Sequence, residues 1–174
     1  MKTTGVAVIG SGGIGTLRAH SCTQIPQVDY LAVCDTKQDK LGDLAAATNA
    51  DMRTSDYEEA IRDDRVGAVF VSTDEENHHG PAALAAELGK PVLIEKPFVL
   101  DLDEADDILA KAKSNGSEVF VGYTQRFRRR YLLAKVGDPI LIDLFVDFRK
   151  RGRAHTAERD EYDCELMPRI HDDE

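Results

Sequence analysis

The sequence predicts an α/β fold, a doubly wound parallel sheet, on three observations. Short apolar runs that fit buried strands alternate with helical patterns through the first two thirds of the chain. The run Gly5–Ile9 passes directly into Gly10-Ser11-Gly12-Gly13-Ile14-Gly15, and the run ending at Ile94 passes directly into Glu95-Lys96-Pro97. Both motifs therefore fall at the carboxyl ends of strands, where open sheets of this class hold their ligands.

Gly5–Ile9 reads as a buried strand, residues 14–23 as a helix and Tyr30–Cys34 as a second buried strand, which makes a βαβ unit. Further strands fit at 68–71, 91–94 and 118–121, each an apolar run too short for a helix. A helix starts near Pro81, which suits a first turn, and stops at Gly89. The clearest helix spans 102–114: Asp101 is its N-cap, Glu104 follows three residues on, and Gly116 lies just past its end. Leu102, Ala105, Ile108, Leu109 and Ala112 fall on one face and predict its buried stripe.

Length and composition fit one ordinary domain with a fragment of a second, since 174 residues at 42% hydrophobic build a core of normal size. The net charge of −10 is uneven. Residues 1–122 carry 11 Lys and Arg against 21 Asp and Glu, whereas residues 123–174 carry 11 of each. This break places a boundary near Tyr123, with 1–122 as a dinucleotide-binding domain and 123–174 as part of another. The acidic balance disfavours nucleic acid and anionic membranes as partners. The basic clusters Arg126–Arg130 and Arg149–Arg153 lack a stacking series of aromatics, and read as solvated surface. Cys22, Cys34 and Cys164 show no CxxC spacing and an odd count, so a reducing cytoplasm is expected. The stretch Val6–Ile9 is too short for a signal-peptide core, and no later run approaches membrane-spanning length.

The glycine motif follows a strand and opens a helix, and Asp35 stands twenty residues beyond Gly15 at the end of the second strand. In that context glycines let the backbone approach a pyrophosphate at a helix N-terminus, and the carboxylate accepts from ribose hydroxyls. A carboxylate there repels the extra phosphate of NADP, so NAD is favoured, with Lys37 a partial offset. Lys96 has two readings. As structure, Glu95-Lys96-Pro97 is a charged strand end that a proline stops; as function, the ammonium donates a proton to a substrate oxygen while hydride moves. Spacing leaves both open. His78-His79 behind Asp74-Glu75-Glu76 raises the question of metal, but adjacent loop histidines seldom converge on one ion, and no metal site is expected.

These residues resemble the Gfo/Idh/MocA family of sugar and inositol dehydrogenases. The matching pieces run in family order over nearly all of 4–135: the glycine motif, Val33-Cys34-Asp35, Ser72-Thr73 followed by His78 and Ala82-Ala83-Leu84-Ala85, Gly89-Lys90-Pro91 through Glu95-Lys96-Pro97, and Gly122-Tyr123-Thr124-Gln125-Arg126-Phe127. The resemblance implies a Rossmann domain followed by the start of an incomplete α+β substrate domain, of which Asp138–Phe148 looks like the first strand before the chain stops at Glu174. It implies that Lys96 is catalytic and that Glu95-Lys96-Pro97 lies beside the nicotinamide. The cofactor contacts it implies are Gly10, Ser11, Gly12, Gly13, Ile14, Gly15, Asp35, Thr36, Ser72, Thr73, His78, Glu95, Lys96, Pro97, Gln125 and Arg126. Ile170-His171-Asp172 resembles the family's histidine segment, which makes His171 the second catalytic candidate; Met167 stands four positions before it, where the family has an aspartate.

Two function classes follow. One is an NAD-dependent oxidoreductase acting on a secondary alcohol of a sugar, cyclitol or related polyol, cytoplasmic and homo-oligomeric, with Lys96 as acid/base. The other is an NAD-binding sensor or remnant domain without turnover, which the missing aspartate and the short second domain favour.

Overall fold

A computed structural model describes residues 3–127. Its strands are β1 (Thr4–Ile9), β2 (Val28–Cys34), β3 (Met52–Thr54), β4 (Val66–Val71), β5 (Val92–Ile94) and β6 (Val119–Val121), all paired in parallel in the order β3-β2-β1-β4-β5-β6. Its helices are α1 (Gly13–Cys22), α2 (Gln38–Thr48), α3 (Tyr57–Arg62), α4 (His79–Glu87) and α5 (Leu102–Asn115), with a 3₁₀ turn at Glu75–Asn77. This is the doubly wound sheet that the sequence predicts. Each strand and helix expected within the described residues is present, with ends shifted by one or two residues; the expected strand Asp138–Phe148 lies outside them. Three elements are additional: α2, the three-residue strand β3, and α3.

Burial on both faces explains why the strands read as unbroken apolar runs. Val6 and Val8 of β1 and Leu31 and Val33 of β2 pack with Ala19, Cys22, Leu41 and Leu44 of α1 and α2. The alternate residues Ala7, Ile9, Ala32 and Cys34 face the opposite core with Ala60, Ile61, Ala82, Ala85 and Ile108 of α3, α4 and α5. Helix α5 is capped as its sequence demands: Asp101 Oδ1 accepts from Asp103 N at 2.7 Å, and Gly116 ends it at φ +67°. Its buried stripe is narrower than the pattern predicts. Ile108 and Ala112 are buried, but Leu102 is 83% and Leu109 50% exposed, because only one edge of this outermost helix packs on α4. No helix among the described residues is long and apolar enough to cross a membrane.

A compact unit ends at Tyr123, and a second begins at Thr124. Of the second, the 3₁₀ turn Thr124–Phe127 is described.

Candidate functional site

Parallel pairing brings five strand ends into one row. β2, β1, β4, β5 and β6 lie side by side and run respectively into Asp35, Gly10, Ser72, Glu95 and Gly122. The ladder continues one residue past each strand: Gly10 N donates to Cys34 O at 2.8 Å, Ser72 N to Ile9 O at 2.7 Å, Glu95 N to Val71 O at 2.9 Å and Gly122 N to Ile94 O at 2.7 Å. Residues far apart in sequence are thereby laced into one rim.

Gly10 turns the chain out of β1 at φ +102°, a conformation that strains any residue with a Cβ. Helix α1 then packs so closely on this turn that a Cβ on Gly15 would overlap the Gly10 carbonyl oxygen. Gly15→Ala is therefore expected to destabilise the fold by about 3 kcal/mol, the upper end for overpacking, because the neighbour is backbone and cannot rotate away. A lowered urea midpoint with unchanged slope is the check.

The site's unpartnered polar groups fit a dinucleotide. Gly12, the N-cap of α1, has an ordinary φ of −66° and nothing within 4 Å of its Cβ position, so its missing side chain serves to leave room. No side chain caps α1, and its first-turn N–H groups have no partner within the helix. They make a seat for a phosphate. Ser72 Oγ and Thr73 Oγ1 are buried without a hydrogen-bond partner, and both line the same cleft of about 480 Å³ together with Gly10, Gly12, Asp35 and Thr36. A buried hydroxyl without a partner is uncommon and marks a place where a ligand supplies one.

Asp35 is held in one orientation at the end of β2. Its Oδ2 accepts from Ser11 N and Ser11 Oγ, both at 2.6 Å, and its Oδ1 from Lys37 N at 2.8 Å. Burial pushes this carboxyl up, but the bonds from the Ser11 hydroxyl and the two backbone N–H groups, with the Lys37 charge, outweigh it and hold the group below the ordinary carboxylate value. Three of roughly four acceptor positions on the carboxylate are filled. The remaining one is left for a further hydroxyl donor. Cys34, just before it, is buried, and its thiol is pushed up to about 12 by burial and by the charges of Asp35, Asp56 and Glu59, so it offers no nucleophile here.

The other candidate residues divide: two turn their side chains to protein partners, and the rest of those described are exposed or half-buried. His78 is 1% exposed and its ring nitrogens meet backbone carbonyls only. Glu95 is 8% exposed and its carboxylate turns inward to Arg18. Lys96 is exposed and its peptide to the half-buried Pro97 is cis. His79 turns away from His78, with Nε2 2.8 Å from Asp107 Oδ2, and Lys111 Nζ holds the same carboxylate at 2.6 Å. Among the described residues no group of three or more His, Cys, Asp or Glu could hold a metal ion. Gln125 and Arg126 lie in the turn that opens the second unit, exposed to solvent. His171 and Met167 lie outside the described residues.

Sequence reading missed Arg18 and Tyr57. Arg18 has no local signal, because its partner Glu95 is 77 positions away. Tyr57 lines the cleft and sets its hydroxyl over Gly80, where a Cβ would come within 2.9 Å of it.

With this geometry in hand, comparison with known proteins is specific. The family model described as "Oxidoreductase family, NAD-binding Rossmann fold" of Gfo/Idh/MocA proteins matches residues 4–123. The myo-inositol 2-dehydrogenase of Thermotoga maritima is 29% identical over 126 residues, 72% of this chain and 38% of that protein. An NADP(+)-dependent scyllo-inositol 2-dehydrogenase of Bacillus subtilis is 32% identical over 110 residues, 63% of this chain and 34% of that protein. Among solved structures, GenD2 from gentamicin A biosynthesis in complex with NAD superposes with a TM-score of 0.72 at 33% identity, covering 77% of this chain and 38% of that one. The chain thus spans about a third to two fifths of the length of its relatives. From the match over 4–123, which takes in the five-strand rim and its glycine turn, this chain belongs to the Gfo/Idh/MocA oxidoreductase family and carries that family's NAD-binding Rossmann fold.

Proposed function

We propose that the chain forms the cofactor side of an oxidoreductase that moves a hydride between NAD and a secondary alcohol of a sugar, cyclitol or related polyol. The observation that carries this is the row of strand ends, with the two buried hydroxyls of Ser72 and Thr73 left for a ligand and Lys96 exposed on the same rim. Its relatives include inositol dehydrogenases, which supports this substrate class. Residues 1–122 serve as the dinucleotide-binding domain and 123–174 as part of the substrate domain. Homo-oligomeric assembly and a cytoplasmic setting rest on the family resemblance and the cysteine usage.

Gly10 to Gly15 and the α1 N-terminus would hold the pyrophosphate, Asp35 and Thr36 the adenosine ribose, and Ser72 and Thr73 the middle of the cofactor. Bound NAD supplies the hydride acceptor. Lys96 Nζ takes the proton from the substrate hydroxyl during oxidation and returns it to the carbonyl oxygen during reduction. His171 is its partner in the resemblance.

Cofactor choice tests the reading at Asp35. Two like charges 4 Å apart near a surface repel by roughly 4 kcal/mol, which Lys37 and Lys40 at the cleft mouth reduce. NADH is expected to bind at least about tenfold more tightly than NADPH, a margin of ~1.4 kcal/mol. Fluorescence titration of both cofactors measures it. Asp35→Ala should narrow the gap by weakening NADH more than NADPH, and equal affinities in the unaltered chain would remove the assignment.

A further inference from the structure

Lys96 is exposed, yet both of its chain neighbours are gripped from distant elements. On one side, Arg18 of α1 sends Nη2 and Nε to Glu95 Oε1 at 2.6 and 3.1 Å, with 22% of the arginine and 11% of the glutamate side chain exposed. The other carboxylate oxygen is covered by Gly122, where a Cβ would fall 2.8 Å from Glu95 Oε2. On the other side, the buried His78 ring lies between two segments. Its Nδ1 is 2.9 Å from Pro97 O and 3.3 Å from Phe98 O, and its Nε2 is 3.2 Å from Thr73 O. Carbonyls only accept, so whichever ring nitrogen carries the proton donates, and the ring is fixed between the β4 and β5 rims.

We propose that Arg18 and His78 are positioning residues for Lys96, acting through Glu95 and Pro97 and contacting neither substrate nor cofactor. The inference rests on the reading of Lys96 as the acid/base. Its physical basis is that a nearly buried carboxylate left without its partner is strongly disfavoured, so Glu95 keeps one place only while Arg18 holds it. Fixing residues 95 and 97 removes most backbone freedom from the residue between them. Proton transfer needs that, since a misplacement of about 1 Å can cost roughly 10²-fold in rate. Arg18 also sits on the helix whose N-terminus seats the phosphate, which ties the lysine's position to the cofactor's.

A general strut and a positioning grip give different results. In the 174-residue chain, hydrogen exchange followed by mass spectrometry is expected to show Glu95–Phe98 opening about tenfold faster in Arg18→Met and in His78→Phe, with β1 and β4 unchanged. Where Arg18→Met fails to fold, Glu95→Gln removes the ion pair without leaving a buried anion, and should give the same local signature. Equal acceleration across β1 and β4, or none at 95–98, would overturn the proposal. In turnover assays of the full-length enzyme, Arg18→Met should lower kcat about tenfold with KM unchanged, Arg18→Lys should restore part of it, and Arg18→Met should lose nothing further in a Lys96→Ala background. Additive losses would again overturn it. Should Lys96→Ala itself retain full turnover, the acid/base reading falls, and exchange at 95–98 alone decides whether the two residues hold the segment.

Discussion

Lys96→Ala is expected to lower turnover by about 10²–10⁴-fold, the usual contribution of a positioned acid or base, while NADH affinity stays within about threefold. The split follows from where Lys96 sits. On the proposed reading, cofactor affinity comes from the β1, β2 and β4 ends: the glycine turn, Asp35 and the two unpartnered hydroxyls of Ser72 and Thr73. Lys96 lies past the end of β5, exposed, and in the proposed role it engages the substrate oxygen as charge develops on it. An interaction made only in the transition state lowers kcat and kcat/KM together and leaves ground-state binding alone. Stopped-flow single turnover with the full-length enzyme, alongside an NADH titration of the same variant, separates the two quantities. A variant that keeps its rate but loses cofactor would make Lys96 a binding contact, and would return Glu95-Lys96-Pro97 to the reading in which a proline simply stops a strand.

Sequence made the centre of this fold legible because its signals there are local. The run Val6–Ile9 feeding Gly10 needs only neighbouring residues to read, and the strand end before Asp35 places that carboxylate by spacing alone. The segment 52–62 is illegible for an equally physical reason. α3 is six residues long, and β3 is a three-residue edge strand in which Arg53 is exposed between half-buried neighbours, so neither is long enough for a period to develop. α2 is different: Leu41, Leu44, Ala45 and Thr48 stand at helical spacing and are its buried face, a legible signal that the sequence reading passed over. Position in the sheet, not residue preference, makes Met52–Thr54 a strand, through pairing with Ala32–Cys34. The Leu102 and Leu109 error has the same origin: periodicity reports which residues share a face, and tertiary packing decides how much of that face is covered.

At the site, the motifs located the rim but not the direction in which each side chain points. Glu95 and His78 both stand in motifs that match a cofactor cleft. Burial and long-range partners nonetheless turn Glu95 to Arg18, and His78 to Thr73 and Pro97. Contacts across 77, 5 and 19 positions leave no mark in a single sequence.

The 174 residues by themselves are expected to bind NADH and yet oxidise no polyol at a measurable rate. Binding needs the row of strand ends, and the unit that ends at Tyr123 holds all of them. Turnover needs in addition a surface that holds the substrate carbon within attack distance of the cofactor. In the relatives, about three fifths or more of the chain lies outside the matched region, and the proposed substrate domain belongs there. Orientation of two reactants supplies roughly 7–11 kcal/mol of a barrier, which is about five to eight decades in rate. An intact Lys96 cannot replace that, because general acid–base catalysis contributes only about two to four decades. The measurement is NADH production against inositols, aldoses and sugar acids at high protein concentration, with light scattering recording the oligomeric state. Saturable turnover that disappears in Lys96→Ala would contradict the expectation. It would mean that residues after Tyr123, alone or joined by those of a second copy, orient the substrate against this rim.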